Sequence, residues 1–402
     1  MIKELIRDEK ISIYFQPIIT IKDKRIFAYE ALTRAWDCEN HPISPVTLFD
    51  HAKKESQTLV LDNYLREKAV EKFKPLYEKN KHAMLFLNME SSFIDEELKD
   101  NLLEITKKYD VPPQNIVIEI KEDIIRDNIY LENFVKIYKK HGFILAIDDF
   151  GAGYSSFDRL SIIKPDIVKI DRSLIYNIQN VYINRQILNA ISSLCHSIGA
   201  LVLAEGVEEK EEVLTCMQNH IDIFQGFWFC KPKDKIDKDD KNLIDTNIDE
   251  VGNQFKINVQ KEEKRKKSVI KKIKKIVRHR FERKDIDMKE LFDKLKALLK
   301  HDHILEAIYV LDYDSALQIG QTLINTKNKT FYLPTKEGHD HSLKEYYYMA
   351  KESNKGYYLG EKYISKASGN SCKTYSIKLN VNNYQLIVCF DLIGKYIISD
   401  SE

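Results

Sequence analysis

The sequence predicts an α/β fold: a (β/α) barrel over about the first 232 residues, then a smaller α+β module. Three observations predict it. Short apolar runs recur, each closing on a polar residue: Glu30 after RIFAY, Asn88 after AMLFL, Glu119 in IVIEI, Asp148 and Asp149 after FILAI, Lys169 in DIVKID, Glu205 after ALVLA and Gln225 after IDIF. Stretches of helical periodicity separate most of these runs. Beyond them the composition turns polar, and strand-like runs resume later in a different rhythm. Strand, polar residue, helix, repeated, is how a (β/α) barrel gathers a site at the C-terminal rim of its strands. Carboxylates gathered at one rim repel one another unless cations hold them. The pattern therefore predicts a divalent-metal site.

The elements follow in order. ISIYFQPII and KRIFAYEALTRA are extended and separated by KDK, a hairpin opening. The stretch from Ile43 to Phe73 is helical, with Ser44 as a cap and Pro45 at the first helical position. AMLFLNM is a strand, IDEELKDNLLEITKKY a helix, IVIEI a strand, and IYLENFVKIYKKHG a helix closed by Gly142. FILAIDD, DIVKID, ALVLAEG and IDIFQG are strands. The later runs hold few charges before their ends, as buried parallel strands do. From about 233 to 260 the chain is polar and weakly patterned, which marks a domain boundary. A basic stretch follows in which Val269, Ile270, Ile273, Ile276 and Val277 share one helical face. That stripe admits a membrane-surface reading. The simpler reading is a solvated connecting helix packed on a neighbour or a dimer mate. After an amphipathic segment, KELFDKLKALLKHDH, come the strands EAIYVLDY, KTFYLP, KGYYLGEKYIS, KTYSIKLNV and YQLIVCFDL, an antiparallel α+β module. The expected division is 1–235, 236–300 and 301–402.

Composition excludes little. The chain has 402 residues, with 63 Lys and Arg against 62 Asp and Glu, so only local charge asymmetry bears on partners. The six cysteines show no CxxC pair, which favours free thiols in a reducing compartment. The N-terminal segment is too charged for a secretory signal, and no apolar run approaches the roughly 18–20 residues of a membrane span. A cytoplasmic location is expected.

The densest motif is Asp148-Asp149-Phe150-Gly151-Ala152-Gly153-Tyr154-Ser155-Ser156. Two aspartates at a strand end suit a hard cation, and the glycines allow a loop close to a ligand. An ordinary Gly-rich turn is the plainer alternative. Lys169 among carboxylates is placed to neutralise a developing oxyanion or position a water. Glu208 reads either as a site residue or as an acid favoured at a helix start. Glu122 reads as a loop anchor. Gln16 and Arg34 are routine polar groups unless a phosphate lies near, which arginine suits. Tyr154, Phe227 and Trp228 pack in a core or stack on a nucleobase.

Glu30-Ala31-Leu32-Thr33-Arg34 resembles the signature of the EAL domain, the family of cyclic di-GMP phosphodiesterases. The resemblance continues through Phe15-Gln16-Pro17, Leu87-Asn88, the Asp148–Ser156 loop, Lys169-Ile170-Asp171, Ala204-Glu205-Gly206-Val207-Glu208 and Gln225-Gly226. It implies a modified (β/α)8 TIM-like barrel with one antiparallel strand. It further implies one Mg²⁺ or Mn²⁺ held by Glu30, Asn88, Glu119 and Asp148, and a second shared by Asp148 and Asp149. Lys169 and Glu205 would orient or activate water, with Gln225 in support. Gln16, Leu32, Arg34, Asp149, Glu208 and Gln225 would meet the substrate, cyclic di-GMP, and Glu122 would anchor the loop. The product would be linear pGpG. Two departures stand out: Ala152 and Lys121 occupy positions where many members carry threonine. No cyclase signature accompanies the motifs. The C-terminal run from Glu306 to Asp312, and Gly360 to Ser365, resemble a PAS-like or Cache-like sensor joined through a long helical linker. The resemblance implies a homodimer, and a small ligand at the sensor is an open expectation. Polymeric nucleic acid and membrane contact through the basic helix are not expected. The rival reading is a receptor that binds cyclic di-GMP without turnover.

Overall fold

The computed structural model describes residues 2–89, 101–121, 128–153, 157–281, 287–301, 305–324, 334–365, 371–382 and 384–393. The chain divides into two compact units, residues 1–256 and 257–402.

In the first unit, β1 (Ile11–Thr20) and β2 (Arg25–Trp36) pair as an antiparallel hairpin, Ile11 opposite Ala35 and Thr20 opposite Arg25. β3 (Pro42–Ile43) adds a short strand to β2. β4 (Met84–Asn88), β5 (Ile116–Lys121), β6 (Ile144–Phe150), β7 (Ile167–Ile170), β8 (Leu201–Ala204) and β9 (Ile223–Phe224) continue from β2 in parallel. β9 then meets β1 antiparallel through Ile19 and Phe224. The result is an eight-stranded mixed barrel, β1 running against both neighbours, with β3 as an extra strand.

Helices fill the connections: α1 (Ile2–Arg7), α2 (Pro45–Lys54), α3 (Thr58–Lys79), α4 (Leu102–Lys108), α5 (Asn128–Lys140), α6 (Phe157–Ile163), α7 (Arg172–Ile175), α8 (Tyr182–Ser197), α9 (Lys210–Gln218) and α10 (Lys238–Phe281). Local chemistry sets their ends. Ser44 Oγ accepts from Thr47 N at 3.1 Å ahead of Pro45, and Gly142 takes φ 87° just past α5. The segment 94–100 of the expected fourth-strand helix lies outside the described residues, as do Glu122 and Tyr154.

Side chains alternate across each barrel strand. One buried inward layer takes a residue from every barrel strand: Ile18, Ala28, Phe86, Val117, Ala146, Ile167, Leu203 and Ile223. The larger core lies outside, between strands and helices. The stretch that composition assigns to a boundary is helical, and its Ile244, Ile248 and Val251 are buried in that outer core. Their i, i+4, i+7 spacing is a helical stripe that the surrounding charges mask.

The second unit begins its globular part with α11 (Met288–His301). A five-stranded antiparallel sheet follows, ordered β11 (Gln318–Ile324), β10 (Leu305–Asp312), β14 (Tyr384–Ile393), β13 (Ser371–Val381) and β12 (Tyr357–Ile364), with α12 (Glu345–Glu352) between β11 and β12 in sequence. Ile308 and Val310 pack with Leu291, Leu295 and Leu298 of α11. Tyr309 and Leu311 point to the other face, with Tyr347 and Ala350 of α12. Most of the expected strand KTFYLP lies outside the described residues. Likewise, the side chains of the Val269–Val277 stripe lie outside them. No described helix is long and apolar enough to cross a membrane.

Candidate active site

The site is the next inward layer of the barrel. Two residues beyond the apolar layer stand Glu30, Asn88, Glu119, Asp148 and Lys169 on β2, β4, β5, β6 and β7, and Glu205 and Gln225 just past the ends of β8 and β9. β1 runs the opposite way, so its contribution lies two residues before Ile18 and is Gln16. Period-two alternation thus carries eight polar side chains from eight strands to one end of the barrel.

Lys169 is the hub. It is 1% exposed, and its Nζ lies 2.5 Å from Glu119 Oε1, 2.6 Å from Glu205 Oε1, 2.7 Å from Asp148 Oδ1 and 3.6 Å from Glu30 Oε1. Burial alone would lower its pKa, but Asp148, Glu119, Glu205 and Glu30 together lift it well above the ordinary value. Burial pushes the Glu119 carboxyl well up, with Lys169 opposing and Glu30 and Asp148 adding to the rise. Burial likewise pushes Glu205 up to about 8. Asn88 Nδ2 donates to Glu30 Oε1 at 3.3 Å, and Gln225 Nε2 donates to Glu30 Oε2 and, at 3.0 Å, to Gln16 Oε1. Gln16 Nε2 is anchored on the Cys230 carbonyl at 3.1 Å.

Consecutive strand residues face opposite ways, yet Asp148 and Asp149 both reach the site. The register of β6 against β7 slips between Ile147 and Phe150, and Asp149 takes φ 56°. This bulge is tolerable for aspartate, whose short side chain admits the left-handed region. Oxygens of Asp148, Asp149 and Glu205 lie within 4.8 Å of one another. Burial and Asp148 raise the Asp149 pKa, while Lys121 Nζ stands 4.0 Å from its carboxylate. Gln225 is held by its neighbour: a Cβ on Gly226 would sit 2.0 Å from the Val207 carbonyl oxygen, so only glycine fits.

Above this layer opens a cavity of about 530 Å³, bordered by Glu30, Asn88, Asp148, Asp149, Lys169 and Glu205 below and by Leu32 and Arg34 at the side. The Arg34 guanidinium lies 5.5 Å from the Tyr14 ring centroid and donates to the Thr33 carbonyl at 2.8 Å. Glu208 stands apart from the carboxylate cluster, ion-paired with Arg172. Phe227 is exposed and Trp228 half-buried. Sequence reasoning missed the opposite wall, where the buried pair Asp62–Arg66 of α3, 2.9 Å apart, borders the cavity. An i, i+4 ion pair set one residue past the apolar positions Leu61 and Leu65 is the signal for it.

The donor set fits hard divalent cations. Four carboxylates face one ammonium here, and Glu119 Oε2 is buried with no hydrogen-bond partner. All available atoms are oxygens of carboxylates and one amide, the ligands that Mg²⁺ and Mn²⁺ take. Cations there would return the raised carboxyls to their ionised form.

The acidic ring lies at the mouth of a mixed barrel with one reversed strand, and the family model for the EAL domain matches residues 1–232. The chain belongs to the EAL domain family. It is 29% identical over 238 residues to the cyclic di-GMP phosphodiesterase PdeA of Borreliella burgdorferi, covering 58% of this chain and 35% of that protein. It is 26% identical over 226 residues to the EAL-domain protein YkuI of Bacillus subtilis, covering 55% of this chain and 54% of that one. The solved structure of YkuI with cyclic di-GMP and calcium superposes with a TM-score of 0.78 at 20% identity, covering 98% of this chain and 99% of that one. That likeness speaks to fold, and it extends through both units. Klebsiella pneumoniae BlrP1, solved with manganese and cyclic di-GMP, matches with a TM-score of 0.50 at 28% identity over 56% of each chain.

Proposed function

We propose that the first unit hydrolyses cyclic di-GMP to linear pGpG. The observation that carries this reading is the buried carboxylate ring around Lys169, lying under a cavity with an arginine at its side. The relatives that act on or bind cyclic di-GMP support the choice of substrate. Glu30, Asn88, Glu119 and Asp148 would hold one Mg²⁺ or Mn²⁺, and Asp148 with Asp149 a second. When bound, two such ions supply Lewis acidity that activates water and neutralises charge on the attacking and leaving oxygens. Lys169 holds the carboxylates in register and faces the developing negative charge. Glu205, raised toward neutral pH by burial, takes the proton of the attacking water. Gln16 and Gln225 fix the orientation of Glu30. Leu32, Arg34, Asp149 and Glu208 are assigned to the substrate, with Arg34 on a phosphate. Glu122 is assigned to the loop that follows Asp149. The second unit is assigned a PAS-like or Cache-like regulatory role within a homodimer.

Chromatography of cyclic di-GMP incubated with the pure protein and Mg²⁺ or Mn²⁺ tests the reading. Formation of pGpG, lost in Glu30→Ala, is expected. Intact substrate that binds without turnover would replace the enzyme by a receptor.

A further inference from the structure

The second unit carries its own cavity, about 240 Å³, whose wall includes Tyr309, His341, Lys344, Tyr346, Tyr363 and Asp391. That is below the roughly 300–1,000 Å³ of pockets for drug-sized ligands, so a guest is a small metabolite. Asp391 is 1% exposed. Its Oδ1 accepts from Tyr309 (3.2 Å), Tyr363 (2.7 Å) and Thr374 (2.9 Å), and its Oδ2 from Ser365 (2.9 Å). Burial pushes this carboxyl above the ordinary carboxylate range, with the hydroxyl donors opposing the rise, and the single Thr374 proton is shared with the Tyr363 hydroxyl, also 2.9 Å away.

The protons of the network can be placed one by one. Tyr309 and Tyr363 have a single proton each, and it goes to Asp391 Oδ1. Gln318 Nε2 donates to the carbonyls of Gly320 at 3.0 Å and Thr335 at 3.2 Å, which leaves Oε1 as the atom facing His341. His341 Nε2 therefore carries the ring proton and donates to Oε1 at 3.1 Å. Burial keeps this ring neutral, its pKa lowered to about 4. Nδ1 is then bare and accepts from the Tyr346 hydroxyl at 2.8 Å. The three phenols at the cavity thus direct their protons inward; the Tyr363 oxygen also meets the Thr374 hydroxyl and Tyr309 is hydrogen-bonded to Tyr346 and Tyr363, and what the phenols offer a guest is their remaining lone pairs.

A guest must therefore donate. The buried Asp391 carboxyl behind the phenols favours a cationic donor over a neutral one, because a cation there holds the carboxylate ionised. At the same cavity stands Lys344, half-buried, and no described residue pairs with its ammonium. A lone amine would meet that charge unfavourably, whereas a molecule that also carries a carboxylate would pair with it.

We propose that this cavity binds a small amino acid as its zwitterion, the ammonium donating to the phenol oxygens before Asp391 and the carboxylate meeting Lys344. The assignment deepens the sensory reading of the second unit by naming a ligand class. Calorimetric titration of the full chain with each of the twenty L-amino acids, in the absence of cyclic di-GMP, tests it. At least one is expected to bind, with its desamino acid and its decarboxylated amine each weaker by roughly tenfold or more. Lys344→Met and Tyr346→Phe, at half-buried positions, should each weaken binding by about tenfold while leaving the circular dichroism unchanged. No binding at millimolar concentration, equal binding of the desamino acid, or undiminished binding by Lys344→Met overturns the proposal. Binding that leaves phosphodiesterase turnover unmoved would instead overturn the sensory reading and leave the site standing.

Discussion

Lys169 sets the electrostatics of the barrel mouth, because one buried ammonium faces four carboxylates within 3.6 Å. Removing it leaves those charges without their internal partner. Lys169→Met should therefore cost about 3–5 kcal/mol of stability and lower turnover by about 10²–10³-fold. Thermal melts and pGpG formation check the two effects separately, and wild-type turnover would remove Lys169 from the mechanism. Gly226→Ala acts through geometry instead. Its methyl would press on the Val207 backbone, costing about 1–3 kcal/mol and moving Gln225 off Glu30, so turnover should fall even where the variant stays folded. Most of the ring was legible in the sequence because each member closes an apolar run. Gln16 was not legible that way. Its strand is reversed, so the polar residue precedes the apolar position, and only the motif resemblance picked it out. The pairing of Asp148 with Asp149 was legible as composition, but the bulge that turns both carboxylates inward is a backbone event with no residue signature of its own.

At the scale of elements, the barrel strands and their helices follow from alternation and helical periodicity, with Ser44, Pro45 and Gly142 marking ends where the structure has them. The start of α10 did not follow. KDDKNLIDTNIDEV is mostly charged and polar, and three buried residues in it, Ile244, Ile248 and Val251, carry the packing. β11 also escaped notice, since QIGQTLI alternates poorly and contains Gly320 at φ 69°. The α10 stripe has a direct consequence for dissection of the chain. A chain ended at residue 256 should melt as a cooperative barrel. One ended at 235 should lose several kcal/mol, since Ile248→Ala alone is expected to cost about 2–5 kcal/mol. Equal melting temperatures for the two would show that the stripe adds nothing.

For the molecule as a whole, acid bears on the second unit through His341 and Asp391. His341 is buried and neutral, its pKa lowered by burial to about 4, against about 6.5 in an unfolded chain. The unfolded state takes the proton first as pH falls. Stability from this group is complete above about pH 6.5 and is lost toward pH 4, by about 3 kcal/mol at most. Asp391, pushed up by burial, takes its proton earlier in the folded state and offsets part of that loss. Melts between pH 7 and 4 should show the second unit weakening, and His341→Gln should flatten the slope; parallel slopes would count against it. The reversed first strand has a consequence of a different kind. β1 can close the barrel only when Phe224 arrives opposite Ile19, and at synthesis rates of roughly 5–20 residues per second that takes about 10–40 s. Throughout translation the newborn hairpin waits with one open edge, so the ribosome-bound chain is a natural client for chaperones until the last barrel strand has emerged.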